Sequence, residues 1–264
     1  MINGLFKYFP TDADKLEKFT NGQVYLTPPE HFNDPWDFRM RFEPWTDAQL
    51  REQCPSSSSY GPEVFREFKA AMTSANFHAD ESCNYQKEIG KIVGVVSLAE
   101  QPLNPLMWAH YAESHKGFVA EFWHGEEEPF EDDFYLRTGP FGPAAKVHYL
   151  KHREQQPECK RDLSNIAKVL WTKHSEWEYE REWRVFQWHR AATPGQTKDG
   201  EPRSLLKFEP NQLIRVIFGL RICPTVEAEL SKMLRRPEFR HVRKEKADID
   251  LVATRQLIAC ELSR

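Results

Sequence analysis

Apolar residues fall in short runs along the chain, and these runs predict more strands than helices. Residues 5–9 are apolar and aromatic and end at Pro10, which is typical of a short strand. Residues 92–98 are rich in β-branched side chains and predict a buried central strand, and residues 118–122 alternate like the strand that follows it. Interleaved strands and helices favour an α+β fold, with a mixed or antiparallel β core and flanking helices.

Helical patterns connect these strands. They predict helices over residues 13–19, over residues 101–116 with Gly117 as the stop signal, and over residues 225–234. Helical spacing also recurs near residues 63–74 and 85–89, after a Ser-rich stretch at residues 56–59. We therefore expect a single domain over residues 1–264, with a helical insertion at about residues 45–90.

Composition and charge narrow the function only slightly. The chain has 264 residues, of which 29% are charged, and its net charge of -4 gives no general attraction to nucleic acids. The five cysteines are scattered without a C-x-x-C pair, so they predict neither a zinc site nor a disulfide framework. No apolar run approaches the roughly 18 residues that a membrane span needs. We expect a cytoplasmic protein with no membrane partner and no recognisable metal site.

A row of charges in the second half of the chain is the strongest candidate for chemistry. Residues 178–188 predict a strand, and alternation would place Glu178, Glu180, Glu182 and Arg184 on one face, with aromatic residues on the other. Carboxylates about 7 Å apart repel one another modestly. The row is therefore either solvated, as charged runs usually are, or part of a site that uses negative charge.

Two other segments combine aromatic and hydrogen-bonding side chains. Trp108, Tyr111 and His115 have helical spacing, which is usual for a core stripe, and His110 beside them could bind a ligand or satisfy a buried carbonyl group. The loop at residues 32–37, F-N-D-P-W-D, is either an Asx-type turn packed by aromatic rings or a preorganised polar loop beside a cleft. Both alternatives remain open for each segment.

Five motifs together resemble a bacterial domain family of unknown function. They are F-K-Y-F-P, F-N-D-P-W-D, M-W-A-H-Y-A-E-S-H-K-G-F-V-A-E-F, E-Y-E-R-E-W-R and V-I-F-G-L, and they span nearly the whole chain. The arrangement is also similar to the ADP-ribosyltransferase fold, in which an early strand supplies a basic or polar residue, a middle element an aromatic residue, and a late strand a glutamate. The usual residue trios of that fold are missing here.

The resemblance implies an ADP-ribosyltransferase that consumes NAD as its substrate. In this class an aromatic ring stacks on nicotinamide, and a glutamate binds the ribose and stabilises an oxocarbenium-like transition state. The implied catalytic residues are Glu182, Glu180, His110 and Tyr111. The implied NAD-binding residues are Lys7, Tyr8, Tyr25, Asn33, Asp34, Trp108 and Arg184.

Glu182 is the favoured catalytic carboxylate, because Arg184 would lie on the same strand face and hold it ionised. The choice between Glu180 and Glu182 nevertheless stays open. The resemblance further implies a bacterial toxin or anti-phage effector. Its target would be a macromolecule, either protein, RNA or DNA, and a cognate antitoxin protein would accompany it.

Two other classes of function fit the same residues. A metal-dependent nuclease or phosphoesterase would use a set of carboxylates and a histidine, namely Asp34, Asp37, His110, Glu180 and Glu182. A non-catalytic module would bind nucleotide or single-stranded nucleic acid by stacking and charge. Its candidate residues are Trp108, Tyr111, Trp183, Lys7, Arg39 and Arg41.

Overall fold

Most strands of the chain join one large mixed sheet in the computed structural model, which describes residues 4–54, 62–130, 134–160, 164–252 and 256–262. The first nine strands are β1 Gly4–Phe9, β2 Gln23–Tyr25, β3 Arg41–Phe42, β4 Val93–Ala99, β5 Phe118–Trp123, β6 Glu128–Pro129, β7 Tyr135–Arg137, β8 Ala144–Lys146 and β9 His148–Leu150. The later strands are β10 Glu158–Cys159, β11 Thr172–His174, β12 Glu182–Trp188, β13 Thr193–Gln196, β14 Pro202–Lys207, β15 Leu213–Phe218, β16 Arg243–Ile249 and β17 Leu257–Glu261.

Within the described residues, ten strands form this sheet in the order β17-β16-β15-β5-β1-β4-β12-β8-β7-β6. The pair β15 and β16 is parallel, whereas β1, β4, β5 and β12 are joined in antiparallel fashion. The shorter strands β13, β14 and β2 form a separate antiparallel sheet that lies beside α1. The architecture is therefore mixed α/β with a large mixed sheet, as the interleaved pattern of the sequence predicts.

The helices flank the sheet and fill the stretch between β3 and β4. They are α1 Ala13–Thr20, α2 Asp47–Gln53, α3 Pro62–Met72, α4 Ala75–Gly90, α5 Pro105–Tyr111, α6 Ile166–Leu170 and α7 Pro224–Leu234. Helices α2 to α4 occupy the region where the sequence predicts a helical insertion; the Ser-rich stretch at residues 56–59 lies outside the described residues. None of the described helices is long and apolar enough to cross a membrane.

One face of the large sheet carries the main hydrophobic core. The rings of Phe9 and Phe118 stack at 4.7 Å, and Phe19 of α1 packs on Phe118 at 4.9 Å. Trp183 and Val185 of β12 are fully buried in the same core. Because side chains alternate along a strand, this burial directs Glu182 and Arg184 to the opposite face.

The predicted strand over residues 178–188 is correct only in its second part. Residues Ser175–Glu180 form a 3-10 helix, Arg181 adopts a left-handed backbone with φ of 44°, and β12 begins at Glu182. A left-handed residue interrupts an extended chain, so the alternation does not reach back to Glu178 and Glu180. The prediction that all three glutamates share one strand face is therefore wrong, whereas Glu182 and Arg184 do share a face.

The predicted helix over residues 101–116 is also shorter in the structure. It begins after Asn104, whose side chain accepts hydrogen bonds from the N–H groups of Leu106 and Met107, and it ends at Tyr111. Residues 113–115 then adopt left-handed backbone angles, with φ of 48°, 54° and 70°. His115 consequently lies outside the helix, yet its ring stacks parallel to that of Trp108 at 5.7 Å.

Gly117 allows this turn to pass close to β1, and we expect Gly117→Ala to destabilise the protein. The added methyl group would overlap the carbonyl oxygen of Phe9. This backbone atom can move away only if strand β1 shifts. We expect a loss of about 3 kcal/mol in the free energy of unfolding, measured by urea denaturation. Gly125→Ala is the control, because its methyl group would meet no atom closer than 3.6 Å. Equal effects of the two substitutions would contradict the prediction.

Candidate functional site

Five charged side chains form a buried ionic cluster on the face of β12 opposite the main core. Its members are Asp37, Lys173, Glu180, Glu182 and Arg184. The Arg184 guanidinium donates hydrogen bonds to Asp37 Oδ2 at 2.6 Å and to both Glu182 carboxylate oxygens at 3.0 Å. Lys173 Nζ donates to Glu180 Oε2 at 2.7 Å and to Glu182 Oε2 at 3.0 Å. Three carboxylates set against two cations leave one formal negative charge when all five groups are ionised.

The loop at residues 32–38 brings Asp37 into the cluster. Asp34 Oδ1 accepts a hydrogen bond from the Trp36 N–H at 2.9 Å, which is an Asx-type turn, and the Asp37 N–H donates to the Asp34 carbonyl oxygen at 3.0 Å. The Arg184 guanidinium lies 4.5 Å from the centre of the Phe38 ring, a cation–π distance. Asp34 therefore shapes the loop, and Arg184 holds the loop against β12.

A chain of hydrogen bonds leads from the protein surface into the cluster. The exposed Asn33 donates through Nδ2 to the Tyr111 hydroxyl oxygen at 3.0 Å. The Tyr111 hydroxyl in turn donates to Glu180 Oε1 at 2.5 Å. Because Lys173 holds the other Glu180 oxygen, this carboxylate is fixed between a partly exposed tyrosine and a buried ammonium group.

The surroundings of Glu180 and Glu182 shift the pKa values of these two side chains in opposite directions. Burial opposes the ionisation of Glu182, but Arg184 and Lys173 outweigh it and lower the pKa of Glu182 to about 2. Burial and the neighbouring Glu182 carboxylate raise the pKa of Glu180 above its ordinary value. Burial and the Glu180 carboxylate also raise the pKa of Tyr111, so that its hydroxyl remains a proton donor. Glu182 is thus a fixed anion, while Glu180 is the carboxylate closer to gaining a proton.

A seam in the large sheet lies next to the cluster. Strand β1 pairs with β5 from Gly4 to Phe9, but among the described residues its register with β4 consists of the single pair Phe6 and Ala99. At this seam Lys7 Nζ donates to the Ser97 carbonyl oxygen at 3.4 Å. Burial and the nearby Lys15 lower the pKa of Lys7 to about 8, although Glu182 acts in the opposite direction. The seam thus carries a desolvated amine within the electrostatic reach of the cluster.

Most of the candidate residues lie either in the ionic cluster or in a small cavity near it. The ionic cluster and its hydrogen-bond chain contain Asn33, Tyr111, Glu180, Glu182 and Arg184. A small cavity of about 70 Å³ is lined by Lys7, Tyr8 and Tyr25. The Tyr8 hydroxyl donates to the Gln101 carbonyl oxygen at 2.8 Å, and the Tyr25 hydroxyl donates to Asp14 Oδ2 at 2.8 Å.

The remaining three candidates have other surroundings. Trp108 is fully buried, packs edge-on against Tyr8 at 5.7 Å and donates through Nε1 to the Pro102 carbonyl oxygen. It can support Tyr8 but cannot contact a ligand without rearrangement. His110 is exposed, with its ring 6.4 Å from that of Tyr179, and Asp34 serves the turn described above.

Sequence reasoning missed two members of the site. Lys173, on the short strand β11, is the cation that joins all three carboxylates. The Tyr149 hydroxyl oxygen accepts the backbone N–H of Glu182 at 2.8 Å and so fixes the start of β12. The excess of acidic residues near Arg184 signals that a second cation is needed. It does not identify that cation, because several lysines and arginines compete for the role.

Fold and site define a mixed α/β protein with a buried ionic cluster beside a seam in its sheet. Residues 107–185 match the family described as Protein of unknown function (DUF2971). The matched stretch begins in α5, just before Tyr111, and ends just after Arg184, whereas the motifs of the sequence predict a resemblance over nearly the whole chain. No curated protein and no solved structure matches the chain.

We expect Arg184→Met to cause a large loss of stability. It would leave Asp37 and Glu182 as buried carboxylates with too little compensating charge, and removing one partner of a buried pair costs about 3–5 kcal/mol. Urea denaturation would measure the loss. Arg41→Met is the matched control, because Arg41 forms an exposed pair with Glu158 at 2.6 Å and such pairs contribute little. A similar small effect for both variants would show that the cluster does not hold the fold.

The lowered pKa of Glu182 predicts a specific dependence on pH. An acid whose pKa is lower in the folded protein stabilises the fold above its unfolded pKa, here about 4.5, and loses that contribution as the pH falls toward about 2. The difference in unfolding free energy between the wild type and Glu182→Gln should therefore shrink across this range. Denaturation series at several pH values would measure it. A difference that stays constant from pH 4.5 to pH 2 would contradict the assignment.

Proposed function

We propose that the protein is an NAD-dependent ADP-ribosyltransferase that modifies a macromolecule. The observation that carries the proposal is the hydrogen-bonded chain from Asn33 through Tyr111 to Glu180, which ends in a buried cluster of three carboxylates and two cations. It lies near the sheet seam that carries Lys7, whose amine donates to the carbonyl oxygen of Ser97, the β4 residue that pairs with Arg184. A polar surface group, an aromatic ring and a fixed carboxylate are thus assembled from three separate elements.

The proposed chemistry uses the negative charge of the cluster. When the bond between the ribose and nicotinamide breaks, its electron pair leaves with the nicotinamide nitrogen and positive charge develops on the ribose. A preorganised carboxylate in a site of low dielectric stabilises that charge without reorganisation. The acceptor atom then forms the new bond to the ribose carbon and gives up its proton, which Glu180 is suited to receive because its pKa is raised.

Among the two glutamates, Glu180 fits the reacting role better than Glu182. Both Glu182 oxygens are held by Arg184, and Lys173 holds one of them as well. Glu180 instead accepts the hydroxyl of the partly exposed Tyr111, so a ligand that displaces or joins this hydroxyl would reach it. We therefore propose Glu180 as the catalytic carboxylate and Glu182 as the residue that positions Lys173 and Arg184.

A toxin or anti-phage role, with a protein, RNA or DNA target and a cognate antitoxin, belongs to this proposal as its biological setting. The metal-dependent nuclease is less favoured, because Lys173 and Arg184 already bind the carboxylate oxygens that a metal ion would need as ligands. Among the described residues, no group of three or more His, Cys, Asp or Glu side chains has an arrangement suited to a metal ion.

We expect Glu180→Gln to reduce the release of nicotinamide from NAD by about 100-fold or more, because the neutral amide cannot stabilise a developing cation. The assay would use purified protein with and without cell lysate or RNA, followed by mass detection of ADP-ribose adducts. Glu178→Gln is the matched control, because Glu178 lies on the same 3-10 helix but is exposed. Full activity in a folded Glu180→Gln variant would reject its catalytic role, and no release or adduct under any condition would reject the transferase.

A further inference from the structure

A groove opens beside the loop at residues 32–38, outside the proposed reaction site. It encloses about 870 Å³, which is enough for a ligand larger than one nucleotide base. Helix α4 forms one wall through His78, Ala79 and Ser82, and the opposite wall includes Arg153 and Gln156. The groove thus lies between the helical insertion and the rest of the chain.

Trp36 gives this groove an exposed aromatic surface. Its side chain is 58% exposed, and the Arg153 guanidinium lies 4.7 Å from the centre of one of its rings. Arg39 and Arg41 line the same groove together with Glu154 and Glu158, and Glu158 pairs with Arg41 at 2.6 Å. Arg39 and Arg153 remain as the cations nearest the exposed indole ring. An indole ring beside these two guanidinium groups suits a ligand with flat bases and phosphates, because bases stack on aromatic rings and cations attract the backbone.

The inner end of the groove approaches the ionic cluster. A smaller cavity shares Trp36, Arg153 and Gln156 with the groove and is also bordered by Asp37 and Lys173. Asp37 Oδ1 is buried and accepts no hydrogen bond from any atom of the described residues. Lys173 donates directly to Glu180. The cavity is therefore separated from the proposed catalytic carboxylate by one side chain.

The loop at residues 32–38 contributes side chains to both the proposed reaction site and the groove. Asn33 donates to Tyr111 in the proposed reaction site, and Trp36, three residues later, stands in the groove. Three extended residues span at most about 11 Å, so the two side chains are anchored within about that distance. The loop therefore connects the groove to the proposed reaction site.

We propose that this groove binds single-stranded nucleic acid, with a base stacked on Trp36, and that this strand is the acceptor of ADP-ribose. The identification of the strand as the acceptor rests on the proposed function, whereas the binding itself does not.

The test is the binding of short fluorescein-labelled RNA homopolymers of adenosine, cytidine or uridine, measured by fluorescence anisotropy without NAD. Trp36→Ala should weaken binding of each strand by about tenfold or more, which is the size expected for losing one stacked base. Trp188→Ala is the matched control. Trp188 is 49% exposed, with the Arg190 guanidinium 5.2 Å from its ring, but does not line the groove.

The effects of the two tryptophan substitutions on RNA binding decide the proposal. A loss of RNA affinity in Trp36→Ala that is not seen in Trp188→Ala would support the proposal. Absence of RNA binding, equal loss in both variants, or preferential binding of an arginine-rich peptide would overturn it. Because binding is measured without NAD, selective RNA binding in a protein that never releases nicotinamide would reject the transferase and leave the groove assignment standing.

Discussion

The burial of Arg184 is the constraint on which the rest of the site depends. A guanidinium removed from water is costly unless nearly all of its donors have partners and opposite charge lies close. Here Asp37 comes from a loop, the Leu170 carbonyl oxygen from the end of α6, and Glu182 from the same strand. The loop lies 147 residues from Arg184 in sequence and the end of α6 lies 14 residues from it, so one side chain holds both segments against β12.

From Arg184 a chain of side-chain contacts leads outward to the protein surface. Lys173 is the second cation of the cluster and donates a hydrogen bond to one Glu180 oxygen. The Tyr111 hydroxyl donates to the other oxygen. The two glutamates are close in sequence but differ in surroundings, and their pKa values move in opposite directions. Such a separation assigns different tasks to similar groups, one that stays ionised and one that can exchange a proton.

The sequence was most informative where local rules decide the structure. Apolar runs marked β1, β4 and β5, and period-two alternation placed Glu182 and Arg184 on one face. It failed where non-glycine residues take left-handed angles, at Arg181 and at residues 113–115, since no glycine or proline signals the change. Lys173 was missed for another reason: the partner of a buried charge is chosen by tertiary packing, which residue spacing does not reveal.

The seam between β1 and β4 gives the sheet an unusual mechanical property. A continuous ladder resists twisting because every residue pair must move with its neighbour, whereas strands joined at the single described pair Phe6 and Ala99 can swing about that point. Few backbone hydrogen bonds would have to break during such a motion. We therefore expect the sheet to bend more readily at this seam, beside Lys7, than within either half.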